Sequence, residues 1–121
     1  MSGYRNSEKK SSNPVLDRGS MKIKSGKFGS GAIDPHWHLN DGTGDRAFIQ
    51  HIDFGEDLSE APAIVLAFTY LECDFKPVRV AVEPKNINIR GFDVEIRTWS
   101  DSHVSSCGGD GSSFYKRRHS S

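Results

Sequence analysis

The ten residues GFDVEIRTWS, Gly91–Ser100, decide the fold class of this chain. Every second residue from Phe92 to Ile96 is apolar, and each residue between them carries a charge. Successive side chains of a β-strand point to opposite faces, so a period of two is typical of a strand with one buried face. The segment is therefore predicted to be a strand whose apolar side faces a core.

Segments of the same kind occur along the chain and are separated by residues that favour turns. The other predicted strands are Met21–Phe28, Phe48–Phe54, Ala63–Leu71 and Val78–Glu83. The strongest apolar run, Ala63–Leu71, has a length and a β-branched content that favour a central strand over a helix. Several short strands between turn signals predict an all-β fold, a small antiparallel β-sandwich.

The composition divides the 121 residues into three parts. Residues 1–20 contain few apolar side chains and many Ser, Asn, Lys and Arg, so a disordered N-terminal arm is expected. Residues 21–104 carry the strand patterns and are predicted to be the sandwich. Residues 105–121 are rich in Gly and Ser, lack a strand pattern, and are predicted to be a polar C-terminal tail.

The charge balance argues against a nucleic-acid partner. Sixteen basic and sixteen acidic residues cancel, and the one basic cluster, residues 116–119, is typical of a solvated tail. The chain has neither a run of apolar residues that could cross a membrane nor a secretory leader pattern. We therefore expect no membrane insertion, and a protein that is cytoplasmic or exported by a leaderless route. Two cysteines, Cys73 and Cys107, are too few for a disulfide framework, although they could pair.

Two side chains suited to sugar binding fall on the outward side of predicted strands. Trp99 follows the charged parity of the 92–98 strand, and Arg79 lies opposite the valines of the 78–83 strand. A pyranose packs its C–H face on an aromatic ring, and a guanidinium donates to its hydroxyls. Asp41 and Asp45, in a loop with Gly42, could accept from those hydroxyls.

Each of these residues also has an interpretation without a ligand. Trp99 could cover the core after a β-bulge, and Arg79 could simply be solvated on an exposed strand. Aspartates in glycine-rich loops usually form turns. The residue pattern alone leaves these alternatives open.

A longer series of short motifs points to a family. In chain order the motifs are Arg46-Ala47-Phe48, Ile52-Asp53-Phe54, Ala61–Leu66, Val78-Arg79-Val80, Gly91–Val94 and Thr98–Ser102. With Lys24–Phe28 as a first strand, the region from Ser25 to Val104 resembles the H-type lectin domain. The spacing of the Gly-Phe and Thr-Trp pairs, with an arginine before them, is the most specific part.

The resemblance implies a sandwich of about six antiparallel strands that assembles as a homotrimer. It also implies binding of galactose or N-acetylgalactosamine in glycans, in a cleft between neighbouring protomers, with a role in agglutination and cell adhesion. The implied sugar-binding residues are Asp41, Gly42, Asp45, Arg79, Trp99, Ser100 and His103. Asp41 is preferred over Asp45 as the acceptor, and His103 stands in for a contact that the family places a few residues after the Trp.

The end of the chain departs from the family pattern. Family members finish with an apolar strand, whereas residues 105–113 here read SSCGGDGSS. A sandwich without that strand would expose an unpaired edge and part of its core. We therefore expect the last edge of the sandwich to be open, with an altered C-terminus or with a different strand that uses Phe114 and Tyr115 as the alternatives.

Three rival functions follow from other features. His36, His38 and His51 could bind zinc with nearby aspartates, but the motif is short, so no metal or cofactor is expected. Enzyme signatures such as Gly-x-Ser-x-Gly are absent from the sequence, which favours a protein without catalytic activity. The alternative function is a protein-interaction sandwich with a degenerate sugar site, because a fold does not determine its ligand.

Overall fold

A computed structural model of the protein describes residues 21–74 and 76–116. Within those residues it has six strands and no helix, which confirms the predicted antiparallel sandwich. The strands are β1 (Met21–Gly31), β2 (Arg46–Asp53), β3 (Ala63–Cys73), β4 (Val80–Lys85), β5 (Gly91–Thr98) and β6 (Val104–Lys116). One sheet, sheet A, has the order β1-β6-β3, and the other, sheet B, has the order β2-β5-β4. The expected N-terminal arm lies outside the described residues.

The core lies between the two sheets and uses the alternation that the sequence shows. Val94 and Ile96 of β5 are fully buried, and Glu95, the charged residue between them, stays partly accessible. Phe48 of β2 and Phe28 of β1 complete the buried centre. Since each of these strands buries one face only, the period of two follows directly from the layered packing.

The loop between β1 and β2 is part of the core rather than a surface connection. Trp37 is 3% exposed and Leu39 is fully buried. The indole Nε1 of Trp37 donates to the carbonyl of Val104 over 2.8 Å, and the backbone N of Val104 donates to the carbonyl of Leu39 over 2.7 Å. These bonds fasten the loop to the start of β6 and fix the position of the residues that follow Leu39.

The structure corrects the expectation of a polar tail after residue 104. Residues Val104–Lys116 form β6, the longest strand, which pairs with β1 on one side and with β3 on the other. The sandwich is therefore closed where an open edge was expected. The apolar run Ala63–Leu71, expected to be central, belongs to the edge strand β3 instead.

Close packing explains why a glycine-rich stretch forms the central strand. A Cβ at Gly108 would lie 2.6 Å from the carbonyl oxygen of Phe28 and 2.7 Å from the ring of Tyr70. Only glycine lets the neighbouring strand and the tyrosine ring approach so closely. Backbone pairing on both sides supplies the hydrogen bonds, so β6 does not need the residue types that usually mark a strand.

Candidate functional site

Three loops meet at one end of the sandwich, which we call the loop end. They are residues 32–45 between β1 and β2, residues 74–79 between β3 and β4, and residues 99–103 between β5 and β6. The antiparallel order places the beginnings of β2, β4 and β6 and the ends of β1, β3 and β5 at this end. All seven residues that were predicted from the sequence to form a sugar site lie on these loops.

Arg79 and Trp99 lie next to the last paired position of β4 and β5. Val80 pairs with Thr98, and the Thr98 hydroxyl donates to the Arg79 carbonyl over 2.6 Å. Thr98 is buried whereas Trp99 is half-buried, so the alternation continues and Trp99 does not enter the core. The guanidinium carbon of Arg97 lies 5.9 Å from the centre of the Trp99 ring, within range of a cation–π contact.

The backbone of Arg79 is held tightly while its guanidinium stays accessible. The Arg79 backbone N donates to the hydroxyl of Ser102 over 2.8 Å, and that hydroxyl donates to the carbonyl of Pro77 over 3.0 Å. Ser102 is fully buried. The Arg79 side chain is 41% exposed, and its Nη1 lies 3.3 Å from Oδ1 of Asp101. Ser102 thus fixes the backbone of Arg79, from which the side chain extends into solvent.

Arg46, the first residue of β2, organises the loop that carries the predicted acceptors. Its guanidinium donates to the carbonyls of Asp41 at 2.6 Å, Gly44 at 2.9 Å and Ser100 at 3.0 Å. The backbone N of Gly44 donates to the same Ser100 carbonyl over 2.9 Å. The loop before β2 is therefore joined to the loop after β5.

The acceptor side chains remain free to face a ligand. Asp41 and Asp45 are exposed, and the bonds to Arg46 use the Asp41 carbonyl rather than its carboxylate. Gly42 has a φ of 76°, in the region that favours glycine, so the turn after Asp41 needs this residue. The geometry thus leaves the Asp41 carboxylate uncommitted among the described residues.

Ser100 has an unusual backbone conformation at the centre of this arrangement. Its φ is 62°, a left-handed value that is uncommon for a residue other than glycine. The two hydrogen bonds that its carbonyl accepts from Arg46 and Gly44 hold this conformation in place. Residues in such sparsely populated conformations are frequent at binding sites, where the surrounding contacts determine them.

His103, on the loop after β5, contacts both of the other loops. Its Nδ1 lies 3.0 Å from Oδ2 of Asp74, and its Nε2 lies 3.0 Å from the carbonyl of Gly42. Each ring nitrogen of His103 thus lies within hydrogen-bond distance of an oxygen on a different loop. His103 therefore supports the turn at Gly42 and links it to the loop that carries Asp74.

The structure brings the predicted site residues to the same end and adds others that were not predicted. Arg46, Asp74, Asp101 and Ser102 hold the loops together. Arg46 begins the Arg46-Ala47-Phe48 motif, and its position directly after a Gly- and Asp-rich loop was a usable signal. Ser102 lies in the Thr98–Ser102 motif, but its supporting role gave no signal, because its hydrogen-bond partners lie more than 20 residues away.

The histidines considered for zinc take part in separate contacts. His36 Nδ1 lies 3.3 Å from Asp34, while His51 Nδ1 lies 2.8 Å from Oδ1 of Asp93 on the outer face of sheet B. Across residues 21–74 and 76–116 there is no group of three or more His, Cys, Asp or Glu placed to hold a metal ion. In the same part of the chain no helix has the length and apolar character needed to cross a membrane. The two cysteines are free, with Cys107 buried and Cys73 exposed.

Known proteins share this sequence pattern. The family model of the H-type lectin domain matches residues 49–110, just over half of the chain. Two Discoidin-1 polypeptides from Dictyostelium discoideum, which are different subunits of that protein, are each 31% identical over 74 residues. These alignments cover 60% of this chain and 29% of each relative, so the chain spans less than a third of their length.

Solved structures share the fold. The recombinant discoidin II of Dictyostelium discoideum has a TM-score of 0.71 and 22% identity, and the match covers 81% of this chain and 38% of that chain. Wild-type discoidin II gives the same TM-score and identity, with 80% and 37% covered. The fold agrees across these structures, and the family model extends over half of the sequence. The chain belongs to the H-type lectin domain family.

Proposed function

We propose that the protein is a lectin that binds galactose or N-acetylgalactosamine units of glycans at the loop end. The observation that carries this proposal is that the partly exposed Arg79 and the half-buried Trp99 adjoin the paired residues Val80 and Thr98, and that the buried hydroxyl of Ser102 holds the Arg79 backbone. An aromatic face and a planar set of donors, held by packed strands, are the groups that a pyranose requires.

The neighbouring loops supply complementary polar groups. Arg79 donates to sugar hydroxyls, and the exposed carboxylates of Asp41 and Asp45 accept from others. The close turn at Gly42 and the hydroxyl of Ser100 lie on the loops that Arg46 joins. His103 contributes by holding the Gly42 turn, so its effect on the sugar is through the acceptor loop.

The protein functions in this proposal without chemical turnover. A glycosidase uses two carboxyl groups on either side of the bond, and its general acid is a carboxyl whose pKa burial raises. Asp41 and Asp45 are exposed and follow one another in a single loop. Hydrolysis of a nitrophenyl N-acetylgalactosaminide that is lost in Asp41→Asn would contradict this part of the proposal.

We further propose that three copies assemble and share the sugar site between neighbouring protomers. Sheet A supports self-association because its outer face has no covering layer among the described residues. Ile23 is 61% exposed and Val65 is 58% exposed, and Ala63 and Ala67 lie on the same outer rows of the sheet. Apolar groups on an open sheet face favour burial against another copy. Three weak sites on one particle then gain avidity for clustered glycans.

A glycan array on the full-length protein tests the function. We expect signals on glycans that end in galactose or N-acetylgalactosamine, and about tenfold or greater loss of signal in Trp99→Ala through the lost ring contact. Trp99→Phe keeps an aromatic face and serves as the matched control. A protein that binds no glycan on the array but captures a protein partner through sheet A would establish the protein-interaction alternative.

A further inference from the structure

A cavity lies between the two sheets, in the half of the sandwich remote from the loop end. It has a volume of about 270 Å³ and opens at the edge where β1 faces β2. Its apolar wall consists of Phe28, Ile52, Phe54, Leu66, Phe92 and Val94. None of the residues assigned to the sugar site lines it.

The cavity exists because consecutive inward positions of β1 and β6 lack large apolar side chains, while β3 supplies Ile64 and Leu66 in the same rows. The row that pairs Gly26 with Gly111 has a single large member, Leu66, and the adjoining row pairs Lys24 with Ser113. A Cβ added to Gly26 would meet no atom within 4 Å. An engineered apolar cavity of about 150 Å³ already binds benzene, so an opening of this volume has room for a short alkyl chain.

One end of the cavity is polar and carries a positive charge. Ser113 is 5% exposed and lines the cavity, and among the described residues no group hydrogen-bonds to its hydroxyl. Its register partner Lys24 lies at the mouth, where the ammonium Nζ is 2.7 Å from Oε2 of Glu56. The Glu56 side chain is 58% exposed, so a ligand carboxylate can replace it on Lys24 without unfolding the connection. Asp53, the acidic residue of the lining, already accepts from the backbone N of Gly55 over 2.7 Å.

We infer that the inter-sheet cavity is a second binding site, for a single-chain amphiphile with a carboxylate head. The head lies between the ammonium of Lys24 and the hydroxyl of Ser113. The chain extends past Gly26 and Gly111 toward Phe28 and Val94, where it fills space that the side chains leave open. Each CH₂ group buried in this way strengthens binding about fourfold, so several methylenes suffice for measurable binding.

Octanoate is the probe that tests this site, by calorimetry on the full-length protein. Gly26→Leu places a side chain in the cavity and is expected to weaken octanoate binding at least about tenfold. Glu83→Leu adds the same side chain to the outer face of sheet B and is the matched control, with octanoate affinity unchanged. Both variants keep their affinity for galactose, because the sugar site lies at the other end. That readout separates a failure of this proposal from a failure of the sugar site.

Two further measurements complete the test. Lys24→Gln weakens octanoate but leaves octanol binding unchanged, since only the carboxylate uses the ammonium. Nuclear Overhauser contacts between the octanoate chain and the methyl groups of Leu66 and Val94 locate the ligand in the unmodified protein, even if Gly26→Leu does not fold. An unmodified protein that takes up no octanoate at millimolar concentration, or one whose contacts lie only on the outer face of sheet A, overturns the proposal.

Discussion

Ser102 shows how a single buried hydroxyl determines the geometry of a surface site. It accepts from the backbone of Arg79 and donates to the carbonyl of Pro77, so both ends of the segment before β4 depend on it. Arg46 and His103 act in the same way on the loop that carries Asp41, each through carbonyl oxygens. The side chains proposed to contact a sugar are thus positioned by other residues through backbone groups, which is the usual basis of a preorganised site.

The prediction at this scale concerns Ser102→Ala. The substitution leaves a backbone N–H and a carbonyl without their buried partner, and we expect it to lower the free energy of unfolding by about 1–3 kcal/mol. Because Arg79 loses its anchor, affinity for galactose falls as well. Denaturant unfolding and calorimetry check the two effects. Ser105→Ala, at an exposed serine of β6, is the control, and equal behaviour of the two variants would contradict the role given to Ser102.

Residue identity and parity predicted that Arg79 and Trp99 lie outside the core, whereas the hydrogen bonds of the residues that support them could not be predicted. A tryptophan on the charged side of an alternating strand is visible in the sequence, because its neighbours define the two faces. The hydrogen-bond partners of Ser102 and His103 come from other loops, and the pairing of distant loops leaves no periodic signal.

At the scale of the elements, β6 connects both sides of sheet A and contains the residues that sequence patterns favour least. The alternation of β2 and β5 was predictable because each buries one side against the core. The inward positions of β6 include Gly109, Gly111 and Ser113, so no apolar period exists there to be read. Strand propensity describes packing against neighbours, and here the neighbours demand small residues.

Gly108→Val tests this explanation of β6. The new side chain would meet the backbone of Phe28 and the ring of Tyr70, and only the ring can move. Overpacking of this kind costs about 1–3 kcal/mol, so the melting temperature is expected to fall by several degrees. Gly26→Ala, where a Cβ finds open space, serves as the control. A Gly108→Val protein as stable as the control would show that β6 tolerates bulk and would remove the close-packing argument.

The Asp93 carboxylate on β5 bonds to His51 of β2 and to Asn86 in the turn after β4. The stability that these bonds provide is expected to depend on pH. Hydrogen bonds from Asn86 and then from His51 hold the pKa of the Asp93 carboxyl below its ordinary value. A lowered pKa in the folded state means that the stabilisation is present at neutral pH and disappears as the pH falls through that lowered value. We expect Asp93→Asn to lower the melting temperature at pH 7, with the difference from the unmodified protein shrinking below about pH 4. A difference that does not change with pH would contradict this account.

At the scale of the whole molecule, three surfaces with different properties lie in different places. The loop end gathers the sugar-binding candidates, the open edge between β1 and β2 leads to the inter-sheet cavity, and the outer face of sheet A exposes apolar side chains. Antiparallel topology makes this possible, because every second connection returns to the same end. The family resemblance predicted the sandwich, but the exposed face of sheet A depends on the central place of β6, which the residue pattern did not indicate.

Val65→Glu tests the role of sheet A in assembly. We expect light scattering to give the mass of three chains for the unmodified protein and of one chain for the variant, because a charge on that face opposes burial against another copy. Ile49→Glu is the matched control, since Ile49 is 55% exposed on the outer face of sheet B. Two variants with the same mass as the unmodified protein would exclude this face as the contact surface.

Calorimetric titration of galactose and N-acetylgalactosamine into the unmodified protein and into Arg79→Ala tests the central claim most directly. The Arg79 side chain makes one partly exposed ion pair, with Asp101, and such pairs contribute at most about 1 kcal/mol, so the variant is expected to keep its fold and its melting temperature. We expect saturable binding of at least one of the two sugars by the unmodified protein, a much weaker signal for Arg79→Lys, and no measurable binding by Arg79→Ala. A folded Arg79→Ala protein that binds the sugar as tightly as the unmodified one would contradict the assignment of the site.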